Sequence, residues 1–181
     1  MGIDAVQKQS EASVFLYGLS SVGVEVAKNL ILSGLKRITI IDVPQSKYST
    51  DGQFYLKEDT DRLQQNLGKL SHLNPYVQID SPPTGIPARD VLKLTQSPFH
   101  IKHYNIVVVS DYVDYTDLLD VAAQCRASNI PIILGEAMSF YGRVLVDLGE
   151  SYTVHDKDGE PIVEVNLDTI EATGLVSLAK G

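Results

Sequence analysis

Apolar positions recur along this chain in two rhythms, and the alternation between them sets the predicted fold. Ser13 to Tyr17 is short, apolar and aromatic, the pattern of a buried strand. Val22, Val26 and Leu30, with Ala27 and Ile31, then fall at helical spacing within Val22 to Ser33. Gly34 follows as a helix-ending residue able to take positive φ. Arg37 to Ile41 is a second strand, ending at Asp42, which completes a strand–helix–strand unit. The polar stretch Val43 to Gly52 is a loop. Leu63, Leu67 and Leu70 predict a helix over Asp61 to Leu73, stopped by Asn74-Pro75. Tyr76 to Ile79 is the next strand, Ser81 to Pro87 is irregular, and Arg89 to Leu94 is a short helix.

Asn105 to Ser110, with Ile106 and three valines, is the clearest buried strand of the chain. Such an unbroken apolar run suits a parallel sheet covered on both faces. A helix over Asp117 to Ser128 turns Leu118, Val121, Ala122 and Cys125 to one side, and Ile130 to Leu134 is another buried strand. The fold class is therefore α/β, a doubly wound, mostly parallel, Rossmann-like sheet. After Gly135 the rhythm changes to β-rich runs: Arg143 to Leu148, Ser151 to His155 and Pro161 to Asn166. Asp158-Gly159 is a hairpin signal, so antiparallel strands are expected to follow the parallel sheet. Ile170 to Gly181 is mildly apolar and has no capping pattern.

Composition narrows the chemistry. The chain has 181 residues, 44% hydrophobic and 21% charged, enough for one domain with a real core. Its net charge of −8, without a Lys/Arg cluster to offset it, argues against nucleic acid as a partner. No apolar run approaches the roughly 20 residues of a membrane span, so no membrane partner is expected. One cysteine, Cys125, rules out an intrachain disulfide and a Cys-based zinc site. It lies on the apolar side of its helix, with no histidine nearby in sequence to activate it, so it is assigned to packing. His100 and His103 flank a loop before a strand and show no ligand spacing. No catalytic residue and no metal site are assigned.

The candidate chemistry lies in the turn after the first strand. Gly18 and Gly23 frame it in the outline of a phosphate-binding turn, where bare backbone and a helix N-terminus meet an anion. The same two glycines also serve a tight strand-to-helix connection with no ligand. Ser20 stands where close approach of a pyrophosphate usually demands glycine, and Ser21 follows it. Asp42 closes the second strand, where an acid either holds ribose hydroxyls or caps a turn. Asp111 follows the Asn105 to Ser110 strand, on the edge where ligands bind in this architecture. It is either a magnesium position or one of an acidic group, with Asp114 and Asp117, in the first turn of the next helix.

"GLSSVGVEVAKNLILSGLKRITIID" (Gly18 to Asp42) resembles the first βαβ unit of the MoeB/ThiF-like adenylating fold. It resembles more closely the N-terminal, inactive adenylation half of ubiquitin-activating enzymes. "QFYL" (Gln53 to Leu56), "LNPYV" (Leu73 to Val77) and "YGRVLVDLGESYTVHDKDGEP" (Tyr141 to Pro161) follow in the same order. In that family the active half carries a richer glycine loop, an Asn-Arg-Gln segment, a downstream lysine and a magnesium-binding aspartate. By this resemblance the Asn-Arg pair falls on Asp51 and Gly52, so the phosphate-gripping arginine is absent. Arg62 lies near the lysine position, Asp111 falls on the magnesium position, and Tyr112 stands where an asparagine should follow. Gly18, Gly23, Asp42 and Asp111 then remain as vestigial nucleotide positions.

The resemblance implies a non-catalytic scaffold half. The parent enzyme would adenylate ubiquitin with ATP and magnesium and pass it to an enzyme cysteine, while this fragment takes no cofactor itself. Residues 1–158 would be the inactive adenylation domain, and 159–181 the start of a truncated first catalytic-cysteine half-domain. Its partners would be the active adenylation half and, through the parent, ubiquitin or a ubiquitin-like protein. The fragment would self-associate through its pairing face, and its location would be cytoplasmic and nuclear. Two alternatives stand beside this. One is the NAD(P)-binding domain of an oxidoreductase, which Gly18, Gly23 and Asp42 allow and Ser20 disfavours. The other is the inactive subunit of a SUMO/NEDD8-activating heterodimer. A competent ATP-using domain is disfavoured by the missing arginine and middle glycine.

Overall fold

A computed structural model describes residues 3–42, 62–83, 86, 88–93, 98–110, 113–138, 140–153, 165–170 and 176–180. Helix α1 (Ile3–Glu11) leads into β1 (Ser13–Tyr17), α2 (Ser21–Leu32) and β2 (Arg37–Ile41). Then come α3 (Arg62–Leu70), β3 (Gln78–Asp80), the one-turn α4 (Ala88–Val91) and a 3-10 turn at Ile101–His103. The chain continues through β4 (Ile106–Val109), α5 (Tyr115–Ala127), β5 (Ile132–Met138) and β6 (Tyr141–Asp147). Two further strands, β7 (Val165–Ile170) and β8 (Val176–Lys180), pair antiparallel in a sheet of their own.

The main sheet has six strands in the order β3-β2-β1-β4-β5-β6. Every pairing is parallel except that of β6 with β5, so the expected doubly wound sheet with antiparallel strands after it is present. Strand order reverses between β1 and β4, which places the ligand crevice of such a fold at their carboxyl ends.

Side chains alternate across the sheet and build two cores. Phe15 and Tyr17 face one side with Val107, Val109, Ile132 and Leu134, covered by Val121 and Cys125 of α5. Val14 and Leu16 face the other with Ile38, Ile40 and Val108, covered by Val24, Ala27 and Ile31 of α2 and Leu63 and Leu70 of α3. The buried stripe of α2 runs through Gly23, Val24, Ala27 and Ile31, while Val26 and Leu30 are only partly buried. Gly34 ends the helix at φ 81°, the left-handed conformation assigned to it.

Four features depart from the sequence reading. Helix α1 was not foreseen, and nor was β8. Strand β5 runs past Gly135 to Met138, because β6 folds back along it with Met138 opposite Tyr141. Ser151 to Thr153, expected in a strand, is irregular. His155 and the Asp158-Gly159 hairpin signal lie outside the described residues. Among those described, no helix is long and apolar enough to cross a membrane.

Candidate functional site

The register brings three chain positions to one edge. Tyr17 lies opposite Ile41 of β2 and opposite Val109 of β4. The next residue on each strand, Gly18, Asp42 and Ser110, therefore leaves the sheet at the same level. Gly18 N–H donates to the Ile41 carbonyl at 2.7 Å, and Ser110 N–H donates to the Tyr17 carbonyl at 2.9 Å. These three residues form the lip of the crevice.

Both glycines are required by the turn itself. Gly18 has φ 102°, a conformation that an L side chain rarely adopts. At Gly23 a Cβ would collide with the Gly18 carbonyl oxygen and the Ser110 Oγ. Helix α2 thus packs its first turn of backbone directly on the strand end, and the glycine is there for helix–strand contact.

Ser20 fills the middle of the turn. It is the N-cap of α2, with φ −61° and ψ 174°, and its Oγ accepts from Gly23 N–H at 3.2 Å. The same hydroxyl donates to the Ser110 carbonyl. Ser110 answers by donating its own Oγ to the Gly18 carbonyl at 2.8 Å. The two serines therefore clasp the turn to the end of β4. Both are buried, Ser20 at 8% exposure and Ser110 at 1%. The sequence reading put the Ser20 side chain in the path of a phosphate. Its hydroxyl is turned inward instead, and it uses one of the helix N–H groups that an anion would otherwise meet. Ser110 was read only as the last residue of a strand, and nothing in its local pattern marks it as a partner of the turn.

Asp42 is engaged as well. Arg62, the first residue of α3, donates from Nε to Asp42 Oδ2 at 2.8 Å and from Nη2 to Oδ1. This is a two-pronged guanidinium–carboxylate pair whose side chains are only 13% and 11% exposed. The residue placed near the family's downstream lysine thus meets the strand-end acid. Asp111, with Tyr112, Asp51 and Gly52, lies outside the described residues.

The remaining candidates fall to structural roles. Asp114 is the N-cap of α5, its Oδ1 accepting from Thr116 N–H at 2.9 Å, and Asp117 sits in the first turn. The first-turn alternative weighed for these acids thus holds for Asp117, while Asp114 caps the helix from the position before it. His100 Nδ1 accepts from Lys102 N–H at 3.2 Å, a loop contact. Cys125 is fully buried and its thiol is pushed up to about 12, by burial first and by the Asp147 charge second. Such a thiol is a packing group at neutral pH. Among the described residues, no three His, Cys, Asp or Glu side chains gather as a metal site.

ATP and magnesium are the groups that this fold family implies; the described turn and strand-end acid do not fit the nucleotide, and Asp111, the position read for magnesium, lies outside the described residues. The Ser20 hydroxyl takes the helix N–H of Gly23, and the strand-end acid is held by a guanidinium.

Glycine-framed turn, strand-end acid and doubly wound sheet define a Rossmann-like domain of the nucleotide-binding class. Residues 1–160 match the ThiF family, and the chain belongs to it. It is 30% identical over 178 residues to ubiquitin-like modifier-activating enzyme 6 of Mus musculus, covering 94% of this chain and 16% of that protein. It is 28% identical over 183 residues to ubiquitin-activating enzyme E1 1 of Schizosaccharomyces pombe, covering 98% of this chain and 17% of that protein. The chain thus spans a small part of the length of the curated relatives it matches. The crystal structure of E. coli MccB superposes with a TM-score of 0.57 at 22% identity, over 72% of this chain and 36% of that one. That likeness concerns the fold alone. Homology with the activating enzymes makes the chain an adenylation-type domain of their kind.

Proposed function

We propose that this chain is the non-catalytic, scaffold half of a ubiquitin-activating enzyme. The observation that carries the reading is the Ser20–Ser110 clasp, which closes the nucleotide turn on the protein's own hydroxyl groups. Gly18 and Gly23 are explained by backbone geometry alone, so their presence does not call for a phosphate. In this reading the whole enzyme adenylates ubiquitin or a ubiquitin-like protein with ATP and magnesium and transfers it to an enzyme cysteine. The fragment takes no cofactor and supplies a packing surface for the active half. Membership of the ThiF family and the relatives' names favour it over the oxidoreductase reading.

Residues 1–158 are the inactive adenylation domain in this proposal, and 159–181 begin the first catalytic-cysteine half-domain. The separate two-stranded sheet β7–β8 supports that division. The location proposed with the role is cytoplasmic and nuclear. Isothermal titration of the chain with ATP–magnesium is the test, with ATP–pyrophosphate exchange in the presence of ubiquitin beside it. No exchange, and no binding tighter than about 10 μM (roughly −7 kcal/mol), is the expected result. Tighter binding or measurable exchange would end the scaffold reading.

A further inference from the structure

An acid at the end of the second strand holds a ribose by accepting hydrogen bonds from its two hydroxyls. In this chain a guanidinium presents two N–H donors to the same two oxygens, Nε to Oδ2 at 2.8 Å and Nη2 to Oδ1. The fork of an arginine matches a carboxylate edge to edge, and its bonds are charge-assisted, where those of a ribose are not. We propose that Arg62 is a built-in occupant of the ribose position, and that it excludes nucleosides and nucleotides from the crevice by holding Asp42. The inference rests on the scaffold reading and adds a second cause of exclusion, independent of the phosphate turn.

Arg62 is not placed to withdraw easily. It opens α3, and α3 is anchored in the core by Leu63 and Leu70. Asn66, fully buried one turn on, donates Nδ2 to the Arg62 carbonyl at 2.9 Å and fixes that turn of the helix. Displacing the guanidinium with a ribose would break two charge-assisted bonds between side chains that are only 13% and 11% exposed. A nucleoside brings only neutral hydroxyls to offset that. The competition therefore favours Arg62 before any phosphate reaches the turn.

The test uses the whole chain and AMP without magnesium, so that the ribose rather than the phosphate chain is probed. Titration calorimetry on the unaltered protein should give no measurable binding at 1 mM AMP, a concentration that reads a Kd as weak as about 1 mM. Arg62→Met should bind AMP at least tenfold more tightly than the unaltered chain, and adding Asp42→Asn should abolish the gain. Arg62→Lys, which keeps the charge but cannot fork, should show a smaller gain and serves if the methionine variant does not fold. A folded Arg62→Met that binds AMP no better, or a gain that survives Asp42→Asn, overturns the proposal. Failure of both Arg62 variants to fold overturns it too, since the pair would then be a strut for α3. The outcomes are distinguishable. A silent Arg62→Met overturns this proposal and leaves the scaffold role standing. Micromolar ATP–magnesium binding by the unaltered chain overturns both.

Discussion

Replacing Ser20 with alanine removes two hydrogen bonds where the turn, α2 and β4 meet. The first is the cap, Ser20 Oγ accepting from Gly23 N–H at 3.2 Å. Loss of a serine N-cap costs about 1 kcal/mol. The second is the buried bond from the same hydroxyl to the Ser110 carbonyl. Its net loss adds about 1 kcal/mol, since that carbonyl gives up its bond inside the core. The sum is about 2 kcal/mol. For a chain of this size each kcal/mol moves Tm by about 2–4 °C, so the variant should melt about 4–8 °C lower. Urea unfolding followed by circular dichroism, with calorimetry beside it, measures both quantities. The urea dependence should keep its slope while the midpoint falls. Ser21→Ala is the control, because Ser21 is half-buried at the first helical position and should stay within about 0.5 kcal/mol of the parent. A loss at Ser20 no larger than at Ser21 would refute the clasp, and with it the observation on which the scaffold reading stands.

Other outcomes follow from the same geometry. The Cys125 thiol is pushed up to about 12 in the folded chain, whereas an unfolded thiol ionises near about 8.5. Between these values the unfolded state gives up a proton that the native state keeps, so stability falls as pH rises through that window. Cys125→Ala should flatten that part of the stability–pH curve, and an unchanged slope would show that the thiol does not titrate as stated. At the free edge of the main sheet, β6 exposes Val144 (74%), Leu145 (55%) and Val146 (54%), so the isolated chain should self-associate with rising concentration in sedimentation. Val144→Lys with Val146→Lys should return it to monomer, and association that persists in this variant would place the sticky surface elsewhere.

The sheet was legible because its strands are buried on both faces. Val107 to Val109 and Ile38 to Ile41 carry apolar side chains at nearly every position, which few loops do. Where that condition fails, the pattern fails with it. Helix α1 has no buried residue between Ala5 and Glu11, so it shows no apolar stripe to find. Strand β6 is exposed along most of its length, yet it was found because its valines and leucine keep strand composition. Ser151 to Thr153 has similar composition and stays irregular. Strand propensity describes a fit to a neighbouring strand, and none is paired there. The extension of β5 through Gly135 and Glu136 depends on β6 folding back along it, which is a pairing and not a local preference.

The site divides along the same line. Gly18, Gly23 and Asp42 were legible as positions, because a strand-to-helix turn and a strand end announce themselves in sequence. What those positions do was not legible, because each role is decided by a residue far along the chain. Ser110 lies 92 positions from Gly18 and accounts for the closed turn. Arg62 lies 20 positions from Asp42 and takes the acid. A glycine motif therefore carries two demands that sequence alone does not separate. One is the approach of a ligand, and the other is the approach of the chain to itself. At Gly23 the second demand is sufficient, since the backbone of Gly18 and the hydroxyl of Ser110 already occupy the space beside it. Any ThiF-type chain that packs its second helix this closely would retain the glycine whether or not it binds a nucleotide. Evidence for nucleotide chemistry in such a domain has to come from groups that the fold does not consume, and in this chain the Ser20 and Ser110 hydroxyls and the Asp42 carboxylate are consumed.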